Sequence, residues 1–413
     1  MKQNYFMGLI ACAALTMTGC SNDEINAPQQ SQGNNAIEFS TYLGRNAQGS
    51  RGTETSTTSI QTSGFGVLAY YTEQADFADT NKPNFMWNQQ VTYDKTNKNW
   101  EYTPIKYWPT KVGDKVSFFA YAPYVAGGDA NGIVLSGNSA TGAPTATITL
   151  PEDPSQTIDF VAAVQMNKTH DNSATANNDV SFTLKHEMTR VKVQAKLDKS
   201  VYDASDAKHK TFVVIKNVTF NDKGQFYKSG KYTFSTKDGE RGTWTTPTAN
   251  ASTSTYTLDL NGVLNTKLIK VDGAKGENHH SGNYEEGVNG VRLVDDTAKD
   301  LFKGSEYLYL IPVSANNGDG LTDGNATATI KYDIVTEDSK LAAGYSCTSA
   351  TKTVLLPKGT LKQGLSYNYI FTINLDEIVL NAEVKDWDKA DSDNGINVPY
   401  TPDDATVKTN PGA

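Results

Sequence analysis

Cys20 closes a short apolar run and is followed at once by polar and acidic residues, in the stretch Leu15-Thr16-Met17-Thr18-Gly19-Cys20-Ser21-Asn22-Asp23-Glu24. Upstream, Lys2 gives a positive start, and residues 7–15 (MGLIACAAL) form an apolar core too short to cross a bilayer with ordinary flanks. The small residues Thr18 and Gly19 stand where a signal-processing site falls. A thiol placed first after such a cut is the group that takes diacylglycerol in a bacterial lipoprotein. The alternative is an ordinary signal peptide with an incidental cysteine. On the lipoprotein reading, residues 1–19 are the signal and residues 20–35 a flexible tether without large apolar periodicity.

Other chemistry is hard to assemble from the chain. Its histidines are His170, His186, His209, His279 and His280, and none has a cysteine or carboxylate at zinc-like spacing. The adjacent pair His279-His280 would point to opposite sides of an extended chain, so the two rings cannot easily share a metal. Residues 317–324 (NGDGLTDG) superficially resemble a calcium loop, but Leu321 stands where an oxygen ligand belongs and no glutamate closes the loop. There is no G-x-S-x-G elbow, P-loop or dinucleotide fingerprint. Cys347 reads as a half-buried strand cysteine. The expectation is therefore no catalytic residue, no metal, no cofactor and no enzyme. Twenty-one tyrosines leave open a sugar-binding surface, against the alternative that aromatic rings fill cores and cross-strand pairs.

Charge and cysteine usage narrow the class further. A net charge of -9 argues against a nucleic-acid partner. With the leader removed, roughly 390 residues remain, enough for two domains. Only Cys347 is then left besides the candidate lipid carrier, so the core must hold the fold without an internal disulfide.

The elements that would position any site are strands. From Ala36 onward, short runs rich in Val, Ile, Tyr, Phe and Thr alternate with Gly, Asn, Asp and Pro, and helical periodicity is nearly missing. Predicted strands include 37–43, 65–71, 87–93, 100–107, 116–124, 158–165, 180–184 and 190–197. The run 116–124 (VSFFAYAPY), apolar on both faces, reads as a buried central strand. A second series runs from Phe212 to residues 378–387, with 270–300 reading as a polar surface insertion. Two such series predict an all-β fold of two β-sandwich domains, 36–186 and 187–388, followed by an extended tail at 389–413.

Five strings occur in an order that resembles the fimbrillin family, the lipoprotein pilins of Bacteroides-type bacteria: FGVLAYY, YTPIKYWPTKVGDKVSFFAYAPY, DFVAAVQM, VSFTLKHEMTRVKV and LKQGLSYNYIFTINL with VKDW. The resemblance covers nearly the whole mature chain. It implies two transthyretin-like β-sandwich domains in tandem and export to the outer membrane as a surface lipoprotein held through Cys20. The acidic pair Asp23-Glu24 is similar to the export tag of such lipoproteins.

It also implies that an arginine-directed protease cuts after the first strand. The groove left behind would then accept an extended strand from another pilin subunit. Carried onto this chain, the removable strand holds Ile37, Phe39 and Leu43. The cleavage candidates are Arg51 and Arg45, in a small, polar stretch followed by an unstructured Thr/Ser run. The donor candidates are Ile396, Val398 and Tyr400, with Pro399 and Pro402 limiting pairing to one side. The bland alternatives are solvated loop arginines and a disordered terminus. A competing role is a tip or anchor adhesin that binds host or microbial glycans without polymerising.

Overall fold

The computed structural model of the chain describes residues 35–43, 55–151, 156–171, 177–201, 211–222, 226–245, 258–259, 267–268, 289–301, 307–312, 320–321, 326–337, 345–374, 378–387 and 396–398. Among the described residues the strands form four sheets, as the all-β expectation requires.

The first sheet runs β1 (Glu38–Leu43), β10 (Asp179–His186), β9 (Val161–Thr169), β5 (Lys115–Ala122), β2 (Phe65–Tyr71), β3 (Met86–Asp94) and β4 (Asn99–Glu101). The continuous apolar runs of β2 and β5 put these strands in its middle, buried along almost their whole length. Successive side chains alternate between faces. Phe118 therefore joins a core with Phe65 and Phe182, while its neighbour Phe119 joins another with Leu68 and Tyr70.

The second sheet covers that other face. It is built from β14 (Thr243–Thr245), β13 (Ser229–Thr233), β8 (Thr145–Thr149), β7 (Ile133–Leu135) and β6 (Asp129–Ala130). The pairing of β8 with β13 spans position 186, so a hairpin from the second half of the chain roofs the first half. Phe234 meets Phe119 edge-on at 6.0 Å, and Tyr232 meets Phe160 at 5.3 Å.

The third sheet runs β18 (Lys299–Asp300), β11 (Thr189–Leu197), β22 (Leu365–Ile373), β23 (Ile378–Asp386) and β24 (Ile396–Val398), with β19 (Leu308–Leu310) also paired to β11. The fourth runs β16 (Lys267–Leu268), β17 (Asn289–Leu293), β12 (Thr211–Asp222), β20 (Ala326–Glu337) and β21 (Tyr345–Leu355), with β15 (Leu258–Asp259) paired to β12. These two sheets share a core in which Phe220 lies 6.1 Å from Tyr369.

Three local expectations change. The strand predicted at 100–107 stops at Glu101, because Pro104 and Pro109 remove backbone donors from the segment that follows. The Thr/Ser run expected to be unstructured instead forms helix α1 (Thr57–Ser63). Ser56 and Ser59 cap it reciprocally, and Ile60 plugs it into the core beneath. The stretch read as an insertion contributes β17 to the fourth sheet, between β16 and β12.

Among the described residues no helix is long and apolar enough to cross a membrane. The same residues contain no group of three or more His, Cys, Asp or Glu that could hold a metal.

Candidate functional site

β1 stands at the edge of the first sheet in its strand order, paired parallel to β10. The register sets Glu38 against Asp179, Phe39 against Val180, Thr41 against Phe182 and Leu43 against Leu184. Alternation turns Phe39 and Leu43 inward, and Ile37 just ahead of the strand joins them. These three are 4%, 2% and 1% exposed, whereas Tyr42 on the other face is 52% exposed. Burying each aliphatic or aromatic side chain stabilises the docked strand by about 1.5–3 kcal/mol.

Phe39 is the centre of the packing. Its ring lies 5.1 Å from Tyr102, 5.9 Å from Phe182, 6.0 Å from Phe118 and 6.5 Å from Phe65. Such offset and edge-on pairs add attraction beyond area burial. Tyr102 also ties the strand by hydrogen bond, its hydroxyl donating to the Ile37 carbonyl at 2.9 Å. Burial pushes its phenol up to about 12, so it stays a neutral donor.

The segment after β4 closes over the start of β1. The Ile37 amide donates to the Lys106 carbonyl at 2.9 Å, and the Trp108 amide donates to the Asn35 carbonyl at 2.8 Å. β1 is thus clasped by β10 along its length and by 106–108 at its beginning. On its outer face Ser40 Oγ donates to Asp179 Oδ2 at 2.8 Å. Burial raises the Asp179 carboxyl above its ordinary value; the Ser40 bond opposes this and the charge of Glu38 adds to it.

Residues 44–54 connect β1 to α1 and lie outside the described residues, with Arg45 and Arg51 among them. Cys20 and Tyr400 lie outside them as well. Both ends of the 44–54 connection are fixed in the core. Leu43 is buried, and the Thr55 amide donates to Asp159 Oδ2 at 2.9 Å while its hydroxyl donates to the Asp159 carbonyl at 2.6 Å. The donor candidates Ile396 and Val398 begin and end β24, whose backbone pairs with β23 through Val384 and Ala382. The structure therefore brings Ile37, Phe39 and Leu43 into one cleft and sets 396–398 on a different sheet.

Sequence reasoning did not find Tyr102, Trp108, Phe182 or Asp159 as partners of this region. Their types are ordinary for a β protein, and nothing local marks which strand each will face. The string LKHEMTR was conspicuous, and its role is structural. Glu187 takes a hydrogen bond from Gln363, its carbonyl one from Trp244 Nε1 at 2.7 Å, and Arg241 donates to the His186 carbonyl. This knot joins the end of β10 to the hairpin of β13 and β14 and to the turn before β22.

Chemically, the arrangement offers no reacting group. It offers an edge strand whose loss would open a row of apolar slots beside an unpaired strand.

The profile of a family described as fimbrillin-like matches residues 53–387. The fimbrium subunit Fim1C of Phocaeicola vulgatus is 32% identical over 409 residues, covering 94% of this chain and 98% of that protein. The crystal structure of a fimbrial protein from Bacteroides vulgatus matches with a TM-score of 0.70 and 28% identity, over 86% of this chain and 100% of that one.

Proposed function

The chain belongs to the fimbrillin-like family, and from that premise we propose that it is a structural subunit of a cell-surface fimbria that polymerises by exchanging β1 for the tail of a neighbouring copy or a related subunit. Cys20 carries the precursor to the outer membrane as a lipoprotein. Cleavage at Arg51 or Arg45 then releases everything up to β1, and Ile396, Val398 and Tyr400 of the next subunit enter the vacated slots. Two transthyretin-like sandwich domains, 36–186 and 187–388, carry the two ends of this exchange, with the β13–β14 hairpin of the second reaching back to complete the first. The division at 186 is supported by the passage from the first sheet to the third there.

The observation that carries the reading is β1 itself. It buries three apolar side chains, pairs at a sheet edge, and its onward link to the fold is the arginine-bearing segment 44–54. Ile37, Phe39 and Leu43 share one face of an extended chain, two and then four residues apart, and Ile396, Val398 and Tyr400 share one face two residues apart. A strand paired along one edge tolerates prolines such as Pro399. The family match begins at residue 53, just past Arg51, and ends at Trp387, where the tail begins.

The test uses the full chain, its truncation after Trp387, and the Arg45→Ala, Arg51→Ala double variant. Each is treated with an arginine-specific protease, then examined by mass spectrometry of the new N-terminus and by an unboiled gel. Cleavage with a ladder of oligomers is expected for the full chain alone. An equal ladder from the truncated chain removes the donor role from the tail. Cleavage of the full chain without any ladder favours the tip or anchor adhesin.

A further inference from the structure

Thr55 is the first described residue after the cleavable segment, and Trp387 is the last before the tail turns back to β24. These two boundaries are far apart in sequence, yet one buried column joins them. Asp159 Oδ2 accepts the Thr55 amide at 2.9 Å and also the His186 Nδ1–H at 2.8 Å. The His186 ring lies flat on Trp387, with centroids 3.9 Å apart and planes 6° from parallel. Trp387 stacks on Tyr309 at 5.5 Å on that ring's own account, and the Arg190 guanidinium sits 4.8 Å from the indole. The Trp387 amide donates to the Gly364 carbonyl at 3.2 Å, which fixes the backbone from which the tail leaves.

We propose that the column Thr55–Asp159–His186–Trp387 couples the hold on the cleavable segment to the hold on the tail, so that freeing the first loosens the second. The inference rests on reading 44–54 as the cleaved segment and 389–413 as the donor. Its physical basis is the shared acceptor. Thr55 and His186 use one carboxylate oxygen in a site that excludes water, so each bond helps to orient the group that makes the other. A tilt of the imidazole gives up the parallel stack on Trp387, and with it the seat of the hairpin formed by β23 and β24. While β1 is docked and the connection intact, Thr55 is held from both sides. Once β1 departs, the chain before Thr55 has a free end, Thr55 frays more often, and the tail is released more readily. The precursor thereby keeps its tail docked until cleavage.

Such coupling is reciprocal and is readable without any polymer. Hydrogen exchange is measured by mass spectrometry on the uncleaved full chain, as wild type, Thr55→Val, Thr55→Ser, Trp387→Leu and the Thr55→Val, Trp387→Leu double variant. Thr55→Val keeps the shape and removes the hydroxyl bond to the Asp159 carbonyl, the second bond that holds the Thr55 amide against Asp159 Oδ2. Exchange across 378–398 is expected to rise about 5-fold or more, with β2 and β5 unchanged and Thr55→Ser like wild type. Trp387→Leu is expected to speed exchange across 55–63, and the double variant to fall short of the product of the single effects. Unchanged exchange across 378–398 in Thr55→Val, or independent effects in the double variant, overturns the coupling. Because the readout is the uncleaved monomer, a missing ladder in the protease test refutes strand exchange separately from this result.

Discussion

Replacing Phe39 by alanine tests whether β1 is a packed but separable part of the fold. The ring is 4% exposed and sits among four aromatic rings at 5.1–6.5 Å. Phe-to-Ala changes in cores cost about 3–5 kcal/mol through lost transfer energy and the cavity left behind. An edge strand can settle inward, which favours the lower end, about 3 kcal/mol. That is a large share of the roughly 5–15 kcal/mol that holds an ordinary domain together. The assay is equilibrium unfolding in guanidinium chloride followed by tryptophan fluorescence, since Trp100 and Trp108 border the same core. Tyr42→Ala on the exposed face is the control and should stay within about 0.5 kcal/mol of wild type. Phe39→Ala costing no more than Tyr42→Ala would refute the packing argument. The same variant then tests separability. After arginine-specific cleavage and removal of the released peptide, Phe39→Ala and wild type should unfold identically, because residue 39 has left with the peptide. A difference that persists after cleavage means that β1 stays in place.

Other perturbations follow from the same geometry. Gly66→Ala near the start of β2 should cost about 1–3 kcal/mol in thermal unfolding, since its new methyl meets the Tyr121 ring, itself pinned by the Val125 amide; an unchanged melting temperature would contradict the close packing of β2 on β5. Asp179→Asn should stabilise the chain at neutral pH while keeping an acceptor for Ser40. The folded carboxyl is raised above 3.8, so its ionisation begins to oppose folding as pH climbs past 3.8, where the unfolded chain ionises, and does so fully above the raised value; the gain should vanish in acid below 3.8; a loss of stability at pH 7 would reverse this sign. Tyr102 and Tyr367 are both pushed by burial from 10 to about 12. The unfolded chain then releases these protons first, so stability in denaturant unfolding should be full below pH 10 and fall between about 10 and 12. A flat stability profile across that window would mean that these phenols ionise in the folded state.

Local pattern determined most of the strands and which faces they bury. Residues 190–197 alternate in sequence and β11 alternates in burial, while the unbroken apolar runs of β2 and β5 became strands covered on both faces. Ile37, Phe39 and Leu43 were legible as one inward face for the same reason: side-chain direction along a strand is a property of near neighbours. Partners are not. That β1 pairs in parallel with β10, that β8 pairs with β13 across the middle of the chain, and that Thr55, Asp159, His186 and Trp387 meet in one column depend on contacts between residues far apart in sequence. Helix α1 belongs with these, because its Thr-rich sequence is a weak helix former and it is held by Ile60 in the core and by Thr55 on Asp159. Tertiary packing supplies the free energy that chooses among partners, and that energy is spread over side chains brought together only when the whole chain has folded.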